Sequence, residues 1–174
     1  NPIPGTTEAL LTVSNLTTRF PVKGGFFRRT VANVHAVEDV SFTINKGQTL
    51  SLVGESGCGK STAGRSLLRL VEPKSGSIDL DGQNILALSQ KELRETRRHI
   101  QMVFQDPFAS LNPQMQLSDQ VAEPLRNFDT HRGKDLDDRV ATLFDRVELP
   151  KSFMRRFPHE LSGGMRQRVV IAMA

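Results

Sequence analysis

Eight consecutive residues, Gly54-Glu55-Ser56-Gly57-Cys58-Gly59-Lys60-Ser61, fit the pattern G-x-x-x-x-G-K-[ST] at every fixed position and leave little freedom in the architecture around them. Before them runs Thr49-Leu50-Ser51-Leu52-Val53, which reads as a short strand. After them a helical pattern begins at Lys60, with Ala63, Leu67, Leu68 and Val71 on one face, and stops at Pro73. Three glycines allow backbone angles closed to other residues, so the loop can turn its N–H groups inward. The helix that follows aims its positive dipole end at the same spot. A glycine-rich turn with a solvated lysine would have similar local composition, but a strand on one side and a helix on the other argue for an anion cradle. The spacing predicts a nucleoside triphosphate, with Lys60 reaching its β- and γ-phosphates and the Ser61 hydroxyl holding Mg²⁺.

The rest of the first half alternates strand and helix, which predicts an α/β architecture. Ala9–Ser14 and His35–Ile44 read as strands, the second with Val37, Val40, Phe42 and Ile44 near period two. A long loop is expected from Pro21 to Asn33, around Gly24-Gly25 and Arg28-Arg29. Asn45-Lys46-Gly47 is a turn signal, Ser77–Leu80 a strand, Gln90–Arg98 a charged helix capped by Ser89, and Ile100–Phe104 another strand. After Asp106-Pro107 the texture becomes helices joined by polar loops. The clearest is Asp135–Val147, with Leu136, Val140, Leu143, Phe144 and Val147 at i, i+4, i+7, i+8 and i+11. Asn1–Glu8 reads as a linker, and the capless apolar helix Arg166–Ala174 as one cut in mid-run.

Composition narrows the function classes. Hydrophobic residues make up 37% and charged residues 24%, the balance of a globular chain rather than a disordered or fibrous one. No apolar run approaches the roughly 20 residues of a membrane helix, and the first residues carry no secretory signal pattern. The single cysteine, Cys58, excludes an internal disulfide framework; inside the loop it reads as a small filler, with a reactive thiol at a helix start as the alternative. The net charge of +4 is spread over scattered pairs, Arg28-Arg29, Arg97-Arg98 and Arg155-Arg156, which read as solvated faces. They form no basic stripe interleaved with stacking aromatics, so no nucleic-acid partner is expected. His35, His99, His131 and His159 lack metal-ligand spacing.

A second glycine pair opens the last helix, in Leu161-Ser162-Gly163-Gly164-Met165-Arg166-Gln167. Ser162 is placed as an N-cap, and the exposed N–H groups behind it can grip another anion; a plain cap after a loop has the same form. Two such helix starts in one chain suggest that two copies sandwich one nucleotide. At this point the sequence resembles the ATP-binding subunits of ABC transporters. Leu161–Gln167 matches that family's signature LSGG-x-[RK]-Q, and Val103-Phe104-Gln105-Asp106-Pro107 its Q-loop. The phrases His35-Ala-Val-Glu-Asp-Val40, Phe104-Gln-Asp-Pro-Phe-Ala-Ser-Leu-Asn-Pro113 and Phe157-Pro-His-Glu-Leu-Ser-Gly-Gly-Met-Arg-Gln-Arg168 are similar to the importers of oligopeptides, dipeptides and glutathione. The likeness runs over residues 9–174.

The resemblance implies an α/β P-loop NTPase of ABC type, a RecA-like core with an antiparallel β-subdomain and an α-helical subdomain. It places the ATP-binding core at 9–106, the helical subdomain that docks the permease at 107–160, and the signature with the start of its helix at 161–174. The sequence would then stop before the Walker B strand, its Asp, the catalytic Glu and the switch His, and such a segment alone would not hydrolyse ATP. Residues 1–8 would link two halves of a fused subunit. Phe20 would stack on adenine, although a strand-end core Phe would look alike and Phe26 and Phe27 compete for the role. Gly54, Glu55, Ser56, Gly57, Cys58, Gly59, Lys60, Ser61 and Thr62 would hold the phosphates. Gln105 would contact Mg²⁺ and the attacking water, joining Lys60 as catalytic and Ser61 as metal-holding. Ser162, Gly163 and Gly164, with Gln167, would clasp the nucleotide of the opposing subunit. The cofactors implied are ATP and Mg²⁺. The partners are a second ABC ATPase domain, membrane permease subunits and, indirectly, a substrate-binding protein, on the cytoplasmic face of the membrane. The alternatives are an ABC ATPase acting on nucleic acid, or a nucleotide binder without turnover.

Overall fold

A computed structural model of the protein describes residues 8–24, 29–128 and 132–174, the side chains of 21–34 excepted. The expected linker, apart from Glu8, lies outside the described residues, as do Phe26, Phe27, Arg28 and His131. The chain divides into two compact units, Asn1–Ile100 and Gln101–Ala174.

The first unit is built on an antiparallel sheet. Strands β1 (Ala9–Gly24) and β2 (Arg29–Asn45) form a long hairpin, and β3 (Ser75–Leu80) and β4 (Gln83–Asn84) complete the order β2-β1-β3-β4. Its core collects the alternating apolar residues Leu11, Val13, Leu16 and Ile78 with Ile85 and Leu93. The expected loop from Pro21 to Asn33 is mostly strand instead: pairing continues to Gly24↔Arg29. Pairing of β1 with β3 ends at Thr17, and among the described residues no strand pairs with that edge of β1 beyond it, where a proline costs no ladder bond. Two expected strands, Thr49–Val53 and Ile100–Phe104, are absent from the sheet. Leu50, Leu52, Val53, Val103 and Phe104 are exposed, and without a neighbouring strand their backbone groups have no ladder to join.

Helix α1 (Lys60–Leu67) follows the glycine-rich loop and stops earlier than Pro73, because Arg69 takes a left-handed φ of 50°. Its last turn is closed by the backbone N–H groups of Arg69 and Leu70, which donate to Ser66 O and Arg65 O. Just past its end the Arg97 guanidinium donates to Leu68 O at 2.9 Å and Arg69 O at 3.1 Å. Arg97 is therefore no solvated charge, as the sequence suggested, but a closing piece between α1 and α2. Helix α2 (Gln90–Thr96) starts in a full capping box of Ser89 and Glu92. The Ser89 hydroxyl and backbone N–H both donate to the Glu92 carboxylate, and these bonds hold its pKa below the usual carboxylate range.

The second unit is helical, with α3 (Pro107–Ser110), α4 (Leu117–Asn127), α5 (Gly133–Arg146) and α6 (Gly163–Met173). The apolar stripe expected on α5 is the one buried: Leu136, Val140 and Phe144 pack with Leu117 and Val121 of α4 and with Val169 and Val170 of α6. No helix among the described residues is long and apolar enough to cross a membrane.

Candidate nucleotide-binding site

The loop from Gly54 to Gly59 takes the shape that its glycines allow. Gly57 and Gly59 have φ of 84° and 97°, in the left-handed region. At Gly59 the restriction is double, because a Cβ there would collide with the Ala36 carbonyl oxygen of β2. Gly54 is also crowded, since a Cβ would lie 2.6 Å from Cys58 Sγ. The loop thus folds onto itself and rests its last residue against the hairpin. Gly59 is also the N-cap of α1; no side chain caps this helix and no acidic residue stands in its first turn. The orphan N–H groups and the positive dipole end are left for an outside acceptor.

Lys60 lies across this cradle. Its ammonium donates to Gly54 O at 2.6 Å and Glu55 O at 2.5 Å, and approaches Cys58 Sγ at 3.5 Å. A cation, an uncapped helix start and inward-turning glycines at one place fit a polyanion. Glu55, Ser56, Cys58 and Ser61 are exposed at this loop, and Thr62 is half-buried behind it. Among the described residues no three His, Cys, Asp or Glu side chains could together hold a metal ion. The exposed Ser61 hydroxyl is the kind of oxygen that suits Mg²⁺, which keeps its waters and takes one or two protein oxygens together with phosphate.

The other expected residues divide between the two units. Phe20 lies in the first, on β1, 40% exposed. Beside it in sequence, Arg19 makes a two-pronged ion pair with Glu38 of β2, at 2.7 and 3.0 Å, and His35 Nδ1 reaches the same carboxylate at 2.8 Å. The hydrogen bond from Arg19 is the main cause that holds the Glu38 carboxyl below its ordinary pKa, and the guanidinium is raised in turn.

Gln105, Ser162, Gly163, Gly164 and Gln167 all lie in the second unit. Gln105 is exposed just ahead of Asp106, whose carboxylate caps α3 by accepting from Phe108 N at 2.8 Å. Ser162 is the N-cap of α6, its hydroxyl accepting from Met165 N. Gly163 and Gly164 are exposed, and a Cβ on either would meet nothing. Neither needs a left-handed φ. Glycine in a helix interior costs about 1 kcal/mol relative to alanine, and among the described residues no contact requires glycine at either position. Gln167 is half-buried one turn further on.

Several residues at the site escaped the sequence reading. Ala36 is one, since a carbonyl contact has no side-chain signal. Thr18 and Ser66 are others, joined across β1 and α1 as a fully buried hydroxyl pair. Arg166 is a third kind: its Nε donates to Pro158 O at 2.7 Å and its guanidinium lies over the Phe108 ring at 4.0 Å, tying the start of α6 to α3. His159 stacks on Phe157 at 5.8 Å in the turn before the signature.

The sequence profile of the ABC transporter family matches residues 37–174. The chain belongs to this family. Among curated proteins it is 52% identical over 172 residues, 99% of its length, to the Glutathione import ATP-binding protein GsiA of Pectobacterium atrosepticum. It is 53% identical over 167 residues, 96% of its length, to the protein of that name from Escherichia coli K12. It spans 28% and 27% of the length of those two relatives. Among solved structures it is similar to a dimeric post-hydrolysis state of the ATP-binding cassette MJ0796 bound to ADP and Pi, with a TM-score of 0.76 and 29% identity, covering 94% of this chain and 68% of that one. A second dimeric structure of that bacterial ABC transporter cassette matches with a TM-score of 0.78, 28% identity and the same coverage. The α/β P-loop architecture expected from the sequence is therefore the fold of this ABC chain, and the family is a nucleotide-binding one.

Proposed function

We propose that this ABC chain is the nucleotide-binding part of the energy-coupling ATPase of an importer for glutathione or a short peptide. The observation that carries the reading is the identity with GsiA, which extends over nearly the whole chain and includes an intact phosphate loop and signature. In this reading Gly54, Glu55, Ser56, Gly57, Cys58, Gly59, Lys60, Ser61 and Thr62 hold the phosphates. The loop supplies N–H donors, Lys60 exchanges the carbonyls of Gly54 and Glu55 for phosphate oxygens, and Ser61 offers its hydroxyl to Mg²⁺. Phe20 offers an exposed ring to adenine. Gln105 faces solvent ahead of the α3 cap, free to meet Mg²⁺ and water. Bound MgATP supplies the phosphoryl group whose transfer to water releases the energy used in transport.

Ser162, Gly163, Gly164 and Gln167 then act on the nucleotide of an opposing ABC domain in a head-to-tail pair, which accounts for glycines that their own fold does not require. Residues 9–106 serve as the ATP-binding core, 107–160 as the subdomain that docks the permease, and 161–174 as the signature segment. The protein works at the cytoplasmic face of the membrane on permease subunits, fed by a substrate-binding protein. Cells that depend on the full-length protein for glutathione uptake test this: Lys60→Ala should abolish uptake of labelled glutathione and of peptides alike. Uptake at the wild-type rate by that variant overturns the assignment.

A further inference from the structure

We propose that Thr18 and Ser66 are a positioning pair that fixes the aromatic platform of β1 relative to the phosphate loop, so that the site selects a nucleoside triphosphate over a bare polyphosphate. The inference rests on the nucleotide reading above and deepens it. Thr18 Oγ1 and Ser66 Oγ are 2.9 Å apart, and both residues are 0% exposed. Thr18 belongs to β1 and Ser66 to α1, the helix that begins at Lys60.

Helix α1 is thereby tied to the hairpin at both of its ends. At its start, the backbone of Gly59 packs so closely on Ala36 of β2 that no Cβ fits between them. Seven residues on from Gly59, about 10 Å along the helix axis, the hydroxyl pair binds it to β1. Phe20 stands two residues beyond Thr18 on the same strand. The register runs Leu16↔Val40, Thr18↔Val37, Arg19↔His35 and Phe20↔Val34, so the extra residues of the irregular stretch lie on β2. Phe20 follows Thr18 at the two-residue strand period, 40% exposed where Thr18 is fully buried against Ser66 of α1. Ring and loop are therefore carried by elements that the pair locks together. A hydroxyl–hydroxyl bond has a preferred distance and direction, a constraint on helix against strand that apolar packing alone does not add.

The experiment compares the binding of MgATP with that of inorganic tripolyphosphate by calorimetry in the full-length protein, counting only the binding that Lys60→Ala removes. Thr18→Val and Ser66→Ala should each weaken MgATP by about tenfold, or ~1.4 kcal/mol, and leave tripolyphosphate unchanged. Thr18→Ser, which keeps the hydroxyl, should bind both as the wild type does. Because a lone buried hydroxyl can unfold a protein, the double variant Thr18→Val/Ser66→Ala, with no orphan left, is measured as well and should show the same selective loss. Equal loss of both ligands, or of neither, overturns the positioning role. If Lys60→Ala weakens neither ligand, it is the nucleotide reading itself that fails.

Discussion

Glycines at the site do two different jobs, and single substitutions separate them. At Gly59 the left-handed φ and the Ala36 carbonyl both forbid a side chain, so Gly59→Ala should lower stability by about 2 kcal/mol or more. A denaturant midpoint equal to the wild type's would contradict this. Gly163 and Gly164 stand in open space within α6, so alanine there should leave the thermal midpoint unchanged or raise it slightly, each worth up to ~1 kcal/mol. In the proposed reading, where that room receives the nucleotide of an opposing domain, the same substitutions should remove ATP hydrolysis by the full-length protein. The Glu38 carboxylate gives a pH signature. Its pKa is held down in the folded chain, mainly by the hydrogen bond from Arg19, so its contribution is present above the ordinary carboxylate pKa. That contribution is lost as pH falls through the lowered value. Glu38→Gln should flatten the acid limb of a stability–pH curve, and an identical limb would exclude the pair from the balance.

Local signals served the elements well where the cause was local. Ser89 and Ser162 were readable as helix starts, because a cap is decided within four residues. Ser89→Ala should accordingly cost about 1 kcal/mol in urea unfolding, and a cost near zero would show that α2 is held by packing alone. The stripe on α5 was readable because burial follows helical period over three turns. Strands were legible only as capacity. Thr49–Val53 and Ile100–Phe104 have the right composition, yet a strand exists only through a neighbour, and here Val53 stands 90% exposed without one. The reverse error occurred from Pro21 to Asn33, where proline and glycine suggested a loop and a hairpin edge unpaired among the described residues accommodated both. Arg97 and the Thr18–Ser66 pair were beyond reach for another reason. Their partners lie 28 or more residues away and are backbone carbonyls or hydroxyls, which leave no pattern in a sequence.

At the scale of the molecule, the candidate site was more legible than the fold that carries it. The cradle, the signature and the Q-loop are short strings whose chemistry is fixed by their own residues, while the sheet order and the division after Ile100 depend on pairings between distant segments. The first unit holds Phe20 and the phosphate loop, and the second holds Gln105 and the signature helix. The proposed head-to-tail pair of ATPase domains would draw on both sets. The most direct test is phosphate release from MgATP by the full-length protein, wild type beside Lys60→Ala. The account predicts turnover in the wild type that falls to background at the site carrying the substitution, with the folded state retained. Equal rates in the two proteins would contradict it.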